Sequence, residues 1–163
     1  MNLREFCDWL SATPISTWEK TAVWFIPTVQ TIHILSVTMV ISSAVMVNLR
    51  LLNLIGRDTP REEYVQRFEP WIWWPVLILL STGTLLTVAE PGRELINDVF
   101  RIKMLMLIVA LVICWFLYRP FRKAGVVAEA PPQWATSAMS VVTMCLWVSI
   151  VFAGRWIAYV VYG

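Results

Sequence analysis

Formal charge is absent from Thr21 to Leu49, a run of 29 residues whose one titratable side chain is His33. Crossing the hydrocarbon core of a bilayer takes ~20 mostly apolar residues in a helix, so this run is long enough to span. Trp71 to Ala89 supplies 19 uncharged residues. Met104 to Tyr118 supplies 15, or 20 when the helix starts at Val99 and takes in Arg101 and Lys103. Ala135 to Gly154 supplies 20 more, and the apolar pattern continues past Arg155 to Tyr162. The pattern predicts four transmembrane helices, at approximately 21–49, 71–89, 99–118 and 135–161. Short connections make successive helices antiparallel. The expected fold is all-α: an up-down four-helix bundle with short interfacial helices, one transmembrane domain over 1–163.

The flanks carry weaker signals. Leu3, Phe6, Cys7 and Leu10 recur at i, i+3, i+4 and i+7, the spacing of a helix lying in the membrane interface, here over 2–12. Thr59-Pro60-Arg61-Glu62 reads as an N-cap, a first-turn proline and a capping-box acid. A short helix over 60–69 should follow on the cytoplasmic side, with Tyr64 and Phe68 on its membrane face. Pro70 is expected to end it, before an aromatic belt of Trp71, Trp73 and Trp74. Asn97 or Asp98 can cap the third spanning helix, and Pro131-Pro132 breaks the chain before the fourth.

Composition narrows the class. The chain is 58% apolar and 15% charged, against about 45–50% and ~25% in soluble domains. That excludes a disordered chain and an ordinary cytosolic enzyme, and a net charge of +2 gives no basis for nucleic-acid binding. The three cysteines, Cys7, Cys114 and Cys145, form no CxxC pair, so neither a disulfide framework nor a zinc site is indicated. Acids at Glu5, Asp8 and Glu19, with no apolar core among the first 20 residues, argue against a cleaved signal peptide. Arg50, Arg57, Arg61, Arg67, Arg119, Arg122 and Lys123 fall in the two loops on one side. The other side has Arg4, Lys20 and Arg93, joined by Arg101 and Lys103 if they lie outside the core. The positive-inside rule then places both loops in the cytoplasm and both termini in the periplasm.

His33 is the sole histidine. Counted from Thr21, it lies ~18 Å along its helix, near the midplane. Gln30, Ser36 and Ser43 flank it, and such a stripe should face protein or a water-filled cavity. Its roles could be a hydrogen bond that tunes packing, a haem or metal ligand, a proton relay or a quinone contact. Arg155 has six further residues of apolar and aromatic character beyond it, Trp156 to Val161. It either snorkels outward or, as we expect, faces inward beside Lys103 and His33. Gln30, His33, Arg101, Lys103 and Arg155 then converge on one outward-facing pocket able to hold a haem propionate, a carboxylate or a quinone carbonyl. Glu90, Glu94 and Asp98 border the same side and could instead neutralise those cations. Arg50 is read as a headgroup contact or as the partner of an acid in the 62–69 segment. Ser81-Thr82-Gly83-Thr84 permits close helix approach.

Trp18…Pro27…His33, Asn48-Leu-Arg-Leu-Leu52, Asn97-Asp-Val-Phe-Arg-Ile-Lys103 and Leu146-Trp147…Gly154-Arg155-Trp-Ile-Ala-Tyr159 run through nearly the whole chain. In these segments the chain resembles a family of small four-helix bacterial inner-membrane proteins of unknown function. The resemblance implies a topology and a compartment and no activity. In layout the chain also resembles small membrane cytochrome b subunits, which usually carry paired histidines where this chain has one.

Three functions remain in view. One is a redox-type membrane subunit binding haem b or quinone within the bundle. The second is an oligomeric transporter or channel component for small solutes or ions. The third is a structural partner of another membrane subunit. Besides the lipid bilayer, a second copy or another membrane subunit is the expected partner. Independent catalysis has little support, because one histidine cannot furnish a nucleophile-base-orienter set and no intramembrane acid pair exists. Labelling of cysteines introduced singly in intact cells is expected to reach one at Gly163 from outside and to miss one at Gly125. The opposite pattern would invert the orientation.

Overall fold

Proline and asparagine punctuate the apolar runs and set where helices begin. The structure, a computed structural model, describes residues 2–122, 131–157 and 159. Its helices are α1 (Leu3–Ser11), α2 (Pro14–Thr21), α3 (Phe25–Leu51), α4 (Arg61–Phe68), α5 (Pro70–Ala89), α6 (Pro91–Leu95), α7 (Asp98–Tyr118) and α8 (Gln133–Trp156). A 3₁₀ turn, Arg119–Phe121, follows α7, and no strand occurs among the described residues. Four segments are long and apolar enough to cross a membrane: α3, α4 with α5, α7 with its turn, and α8. Lys123, Gly125, Gly163 and positions 158, 160 and 161 of the expected fourth helix lie outside the described residues.

Helix α3 is the hub. It packs along α5 on one side and against α8 on the other, and α8 in turn packs along α7. Val40, Ala44 and Val47 of α3 meet Val76 of α5, Cys114 of α7 and Trp147 of α8 in the buried core. Lipid tails are as apolar as leucine, so such contacts hold helices together through close fit, which small residues such as Ala44 permit. Helices α5 and α7 do not pack along their lengths. They meet at the end that carries α4, where the Trp73 and Trp115 rings lie edge to face at 5.9 Å. Arg122 stacks on Trp115 at 4.0 Å and ion-pairs with Glu69, which is 8% exposed. Glu69 also accepts from Trp73 Nε1 at 2.8 Å. A carboxylate, a guanidinium and two indoles thus clamp one end of the α5–α7 seam.

Several local expectations are corrected. Pro60, not Thr59, is the N-cap of α4, and no side chain caps it. The Thr59 carbonyl instead accepts from Arg50 Nε and Nη2 at 3.1 and 2.7 Å. Arg50 is buried, with Nη1 on Asn53 Oδ1 at 3.1 Å, and it pairs with no acid among the described residues. The loop folds back to deliver these acceptors through left-handed turns at Asn53 (φ 58°) and Gly56 (φ 59°). A Cβ at Gly56 would come within 2.9 Å of the Tyr64 ring. Pro70 does not end α4: Glu69 keeps helical angles, φ −59° and ψ −41°, and the helical path continues into α5. A residue before proline is normally pushed out of this region, and the side-chain bonds of Glu69 oppose that push. Tyr64 and Phe68 stack on each other at 4.9 Å, with Phe68 against the core rather than on the membrane face. Trp71 and Trp74 are exposed as a belt would be, while Trp73 turns into the seam. Helix α2 was not anticipated, though Thr13-Pro14 is its signal: Thr13 Oγ1 accepts from Ser16 N at 3.4 Å.

Glu69→Ala leaves the Arg122 guanidinium and Trp73 Nε1 without their acceptor. It is expected to cost about 3 kcal/mol, the lower end for breaking a buried pair. The exposed Arg67→Ala should stay within ~0.5 kcal/mol. Unfolding of the detergent-solubilised protein by added sodium dodecyl sulfate measures both.

Candidate functional site

An intramembrane cavity of about 320 Å³ lies on the open side of the bundle. Its walls come from α3, α5, α7 and α8, and Leu10 of α1 closes over one end. The lining is almost wholly apolar. Four polar side chains reach it among the described residues: His33, Lys103, Thr84 and Thr87. Leu80 and Thr84 line the cavity and are also exposed on the flank of α5 at mid-helix depth. The mouth therefore faces sideways, between α5 and α7.

His33 stands eight residues into α3, ~12 Å along its axis. Its Nδ1 is 2.8 Å from Thr82 Oγ1 on α5. With the Thr82 hydroxyl donating to the Ile78 carbonyl at 2.7 Å, it accepts from Nδ1–H. In the neutral ring this leaves the lone pair on Nε2, which has no protein partner among the described residues. Gly83 lies against the imidazole, where a Cβ would sit 3.5 Å from Cε1. The Ser81-Thr82-Gly83-Thr84 run thus supplies the acceptor that fixes the ring, with a small residue beside it.

Lys103 enters the cavity from the first turns of α7. Gly154 of α8 lies against its ammonium: a Cβ there would be in ordinary contact, 3.7 Å from Nζ. Asn97 starts α7 by accepting from Val99 N at 2.9 Å, which sets the helix phase that turns Lys103 inward. Glu94 of α6 is the acid whose charge acts on Lys103. Burial pushes the Glu94 carboxyl above its ordinary range, and Lys103 and then Arg93 pull it back. The other acids are used locally: Glu90 pairs with Arg93 at 2.6 Å and Asp98 with Arg101 at 3.5 Å.

Of the five residues expected to converge, the structure brings His33 and Lys103 to the cavity. Gln30 is exposed, rotated past the buried Val29. Arg101 is exposed beside Asp98. Arg155 also points outward rather than inward: it donates to Tyr159 Oη at 3.0 Å, one turn on, and stacks over that ring at 5.3 Å. Gly154 explains this, since Lys103 occupies the inward face next to it. No group of three or more metal-ligating His, Cys, Asp or Glu side chains exists among the described residues. The sequence reading missed Trp147, whose 3%-exposed ring lines the cavity; its place 14 residues into α8, away from both helix ends, was the available signal.

Four apolar helices around a lateral, mostly apolar cavity define a multi-pass α-helical membrane protein. The chain belongs to a family of unknown function, DUF6644, which matches it over residues 6–160. No curated protein and no solved structure matches it.

Thr82→Val removes the acceptor of His33 Nδ1–H and is expected to destabilise the protein by ~1–3 kcal/mol. Gly154→Ala should be neutral or stabilising by up to ~1 kcal/mol, since its Cβ meets only ordinary contacts and alanine favours helix. Arg155→Gln should change stability little and add independently to His33→Ala. Thermal unfolding in detergent, with single and double variants, reads all three.

Proposed function

We propose that this protein is a redox-type membrane subunit that binds a quinone in the cavity between α5 and α7. The observation that carries the reading is the pairing, in one apolar cavity, of an ammonium donor on Lys103 with a free acceptor on His33 Nε2. A quinone carbonyl accepts hydrogen bonds and its reduced hydroxyl donates them. Lys103 suits the first and His33 the second. A volume near 320 Å³ lies at the lower end of small-molecule pockets, ~300–1,000 Å³. That suits a single ring better than a macrocycle, with the apolar tail leaving sideways into lipid. The redox chemistry belongs to the quinone, and the chain binds it, orients it and receives a proton on Nε2. Electrons would pass to or from a partner redox subunit. The positive-inside count supports placing the cavity in the periplasmic half of a bacterial inner membrane, with both termini on that side.

Haem b is the second reading, because the Met104 thioether lines the same cavity as His33. Iron held by His and Met is an established ligation. The protein purified in mild detergent should yield a quinone on organic extraction and chromatography, and its visible spectrum should show no Soret band. Lys103→Met and His33→Ala should each lower the quinone content at least tenfold while the fold is retained. A Soret band lost in His33→Ala would replace quinone with haem. Neither pigment nor quinone would overturn the redox reading.

A further inference from the structure

Helices α1 and α2 form a hairpin across the end of the bundle where α3 begins. Helix α1 packs on α6, where Cys7 Sγ donates to the Pro91 carbonyl at 3.6 Å, and α2 packs on α5. Leu10 of α1 is part of the cavity wall. The seated face of α2 hides polar groups. Ser16 and Glu19, one turn apart on α2, are 0% and 1% exposed, and Ser16 Oγ and Glu19 Oε2 have no hydrogen-bond partner. Glu19 makes no ion pair among the described residues.

The elements packed against α2 offer Glu19 no charge compensation. Helix α5 carries no titratable side chain from Pro70 to Ala89. Helix α3 brings His33, fixed on Thr82, and Arg50 at its far end. Helix α1 brings Arg4, Glu5, Cys7 and Asp8, none of them in an ion pair or hydrogen bond with Glu19. The neighbouring Lys20 of α2 itself is the one charge that acts on Glu19, and it lowers the carboxyl's proton affinity less than burial raises it. A carboxyl with one oxygen buried and unpartnered is easier to seat neutral than ionised, and burial pushes Glu19 in that direction.

We infer that the α1–α2 hairpin is a proton-dependent cover of the cavity, seated when Glu19 is protonated and released when Glu19 ionises. The sign follows from the direction of the effect. The seated state holds the Glu19 proton more tightly than the released state does, so seating is strongest below the ordinary glutamate range. It weakens as pH rises from that range through the elevated value of the seated state. As regulation of ligand access the cover rests on the quinone reading, whereas its movement does not.

Cys7 reports the movement directly, because it is 2% exposed when α1 is seated. The protein in detergent is treated with a charged methanethiosulfonate at pH 5 to 8, and the adduct at Cys7 is quantified by peptide mass. Comparison with Glu19→Gln at each pH cancels the intrinsic thiol reactivity. The natural chain and Glu19→Gln should react alike at pH 5. At pH 8 the natural chain should react at least tenfold faster, while the variant stays protected. Equal rates at every pH would overturn the cover, as would a Glu19→Gln chain whose Cys7 is already open at pH 5. Extracted quinone plays no part in this readout, so failure of the ligand reading leaves it intact and distinguishable.

Discussion

Hydrocarbon offers no water, so a polar side chain carried into it creates a demand for a partner on its own chain. The contact His33–Thr82–Ile78 meets that demand, and much of the bundle is arranged around it. A hydroxyl that already donates to its own helix can only accept, so it holds the imidazole in one tautomer. Gly83 faces the ring, where an added Cβ would be in ordinary contact at 3.5 Å, and α5 packs close along α3. With α3 committed to α5 on one flank and to α8 on the other, α7 docks on α8 alone along most of its length. The opening beside His33 is the geometric remainder of those pairings.

The two ends of that opening are governed by different chemistry. At the α4 end, Glu69, Arg122, Trp73 and Trp115 form a compact polar and aromatic knot. At the other, an apolar side chain of α1 closes the wall, and the helices that carry it hide a carboxyl without a counter-charge. The first arrangement satisfies its ionic groups within the bundle. The second leaves one group dependent on protonation. A cavity with one fixed wall and one conditional wall follows from where the acids fall in the chain.

The membrane architecture was legible in the sequence because length and charge exclusion act on whole segments. An uncharged run such as Thr21 to Leu49 has few alternatives to a spanning helix. Single side-chain directions were less legible. Arg155 and Gly154 are adjacent, and which of the two faces inward depends on Lys103 arriving from another helix. Gln30 and His33 lie about 60° apart around α3, close enough to read as one stripe, yet the bundle surface passes between them. Glu69 looked like the end of a surface helix, because its stabilising partner, Arg122, lies 53 residues away. Patterning thus reported which helices exist, while the cavity depends on contacts between helices.

The knot at the α4 end gives the seam the mechanics of a hinged pair of arms. Trp73 sits near the pivot, and Gly83, facing His33, is ten residues further along α5, or ~15 Å at the helical rise. A relative tilt of about 5° about that pivot moves the arms apart by roughly 1.3 Å at the histidine and by about 2 Å at Thr87. The aperture between the arms thus changes by no more than about a methyl group's radius, with the knot itself intact. Because α5 is held along α3 and α7 along α8, such a tilt is taken up across the α3–α8 contact, so the width of the opening is tied to the packing of that pair.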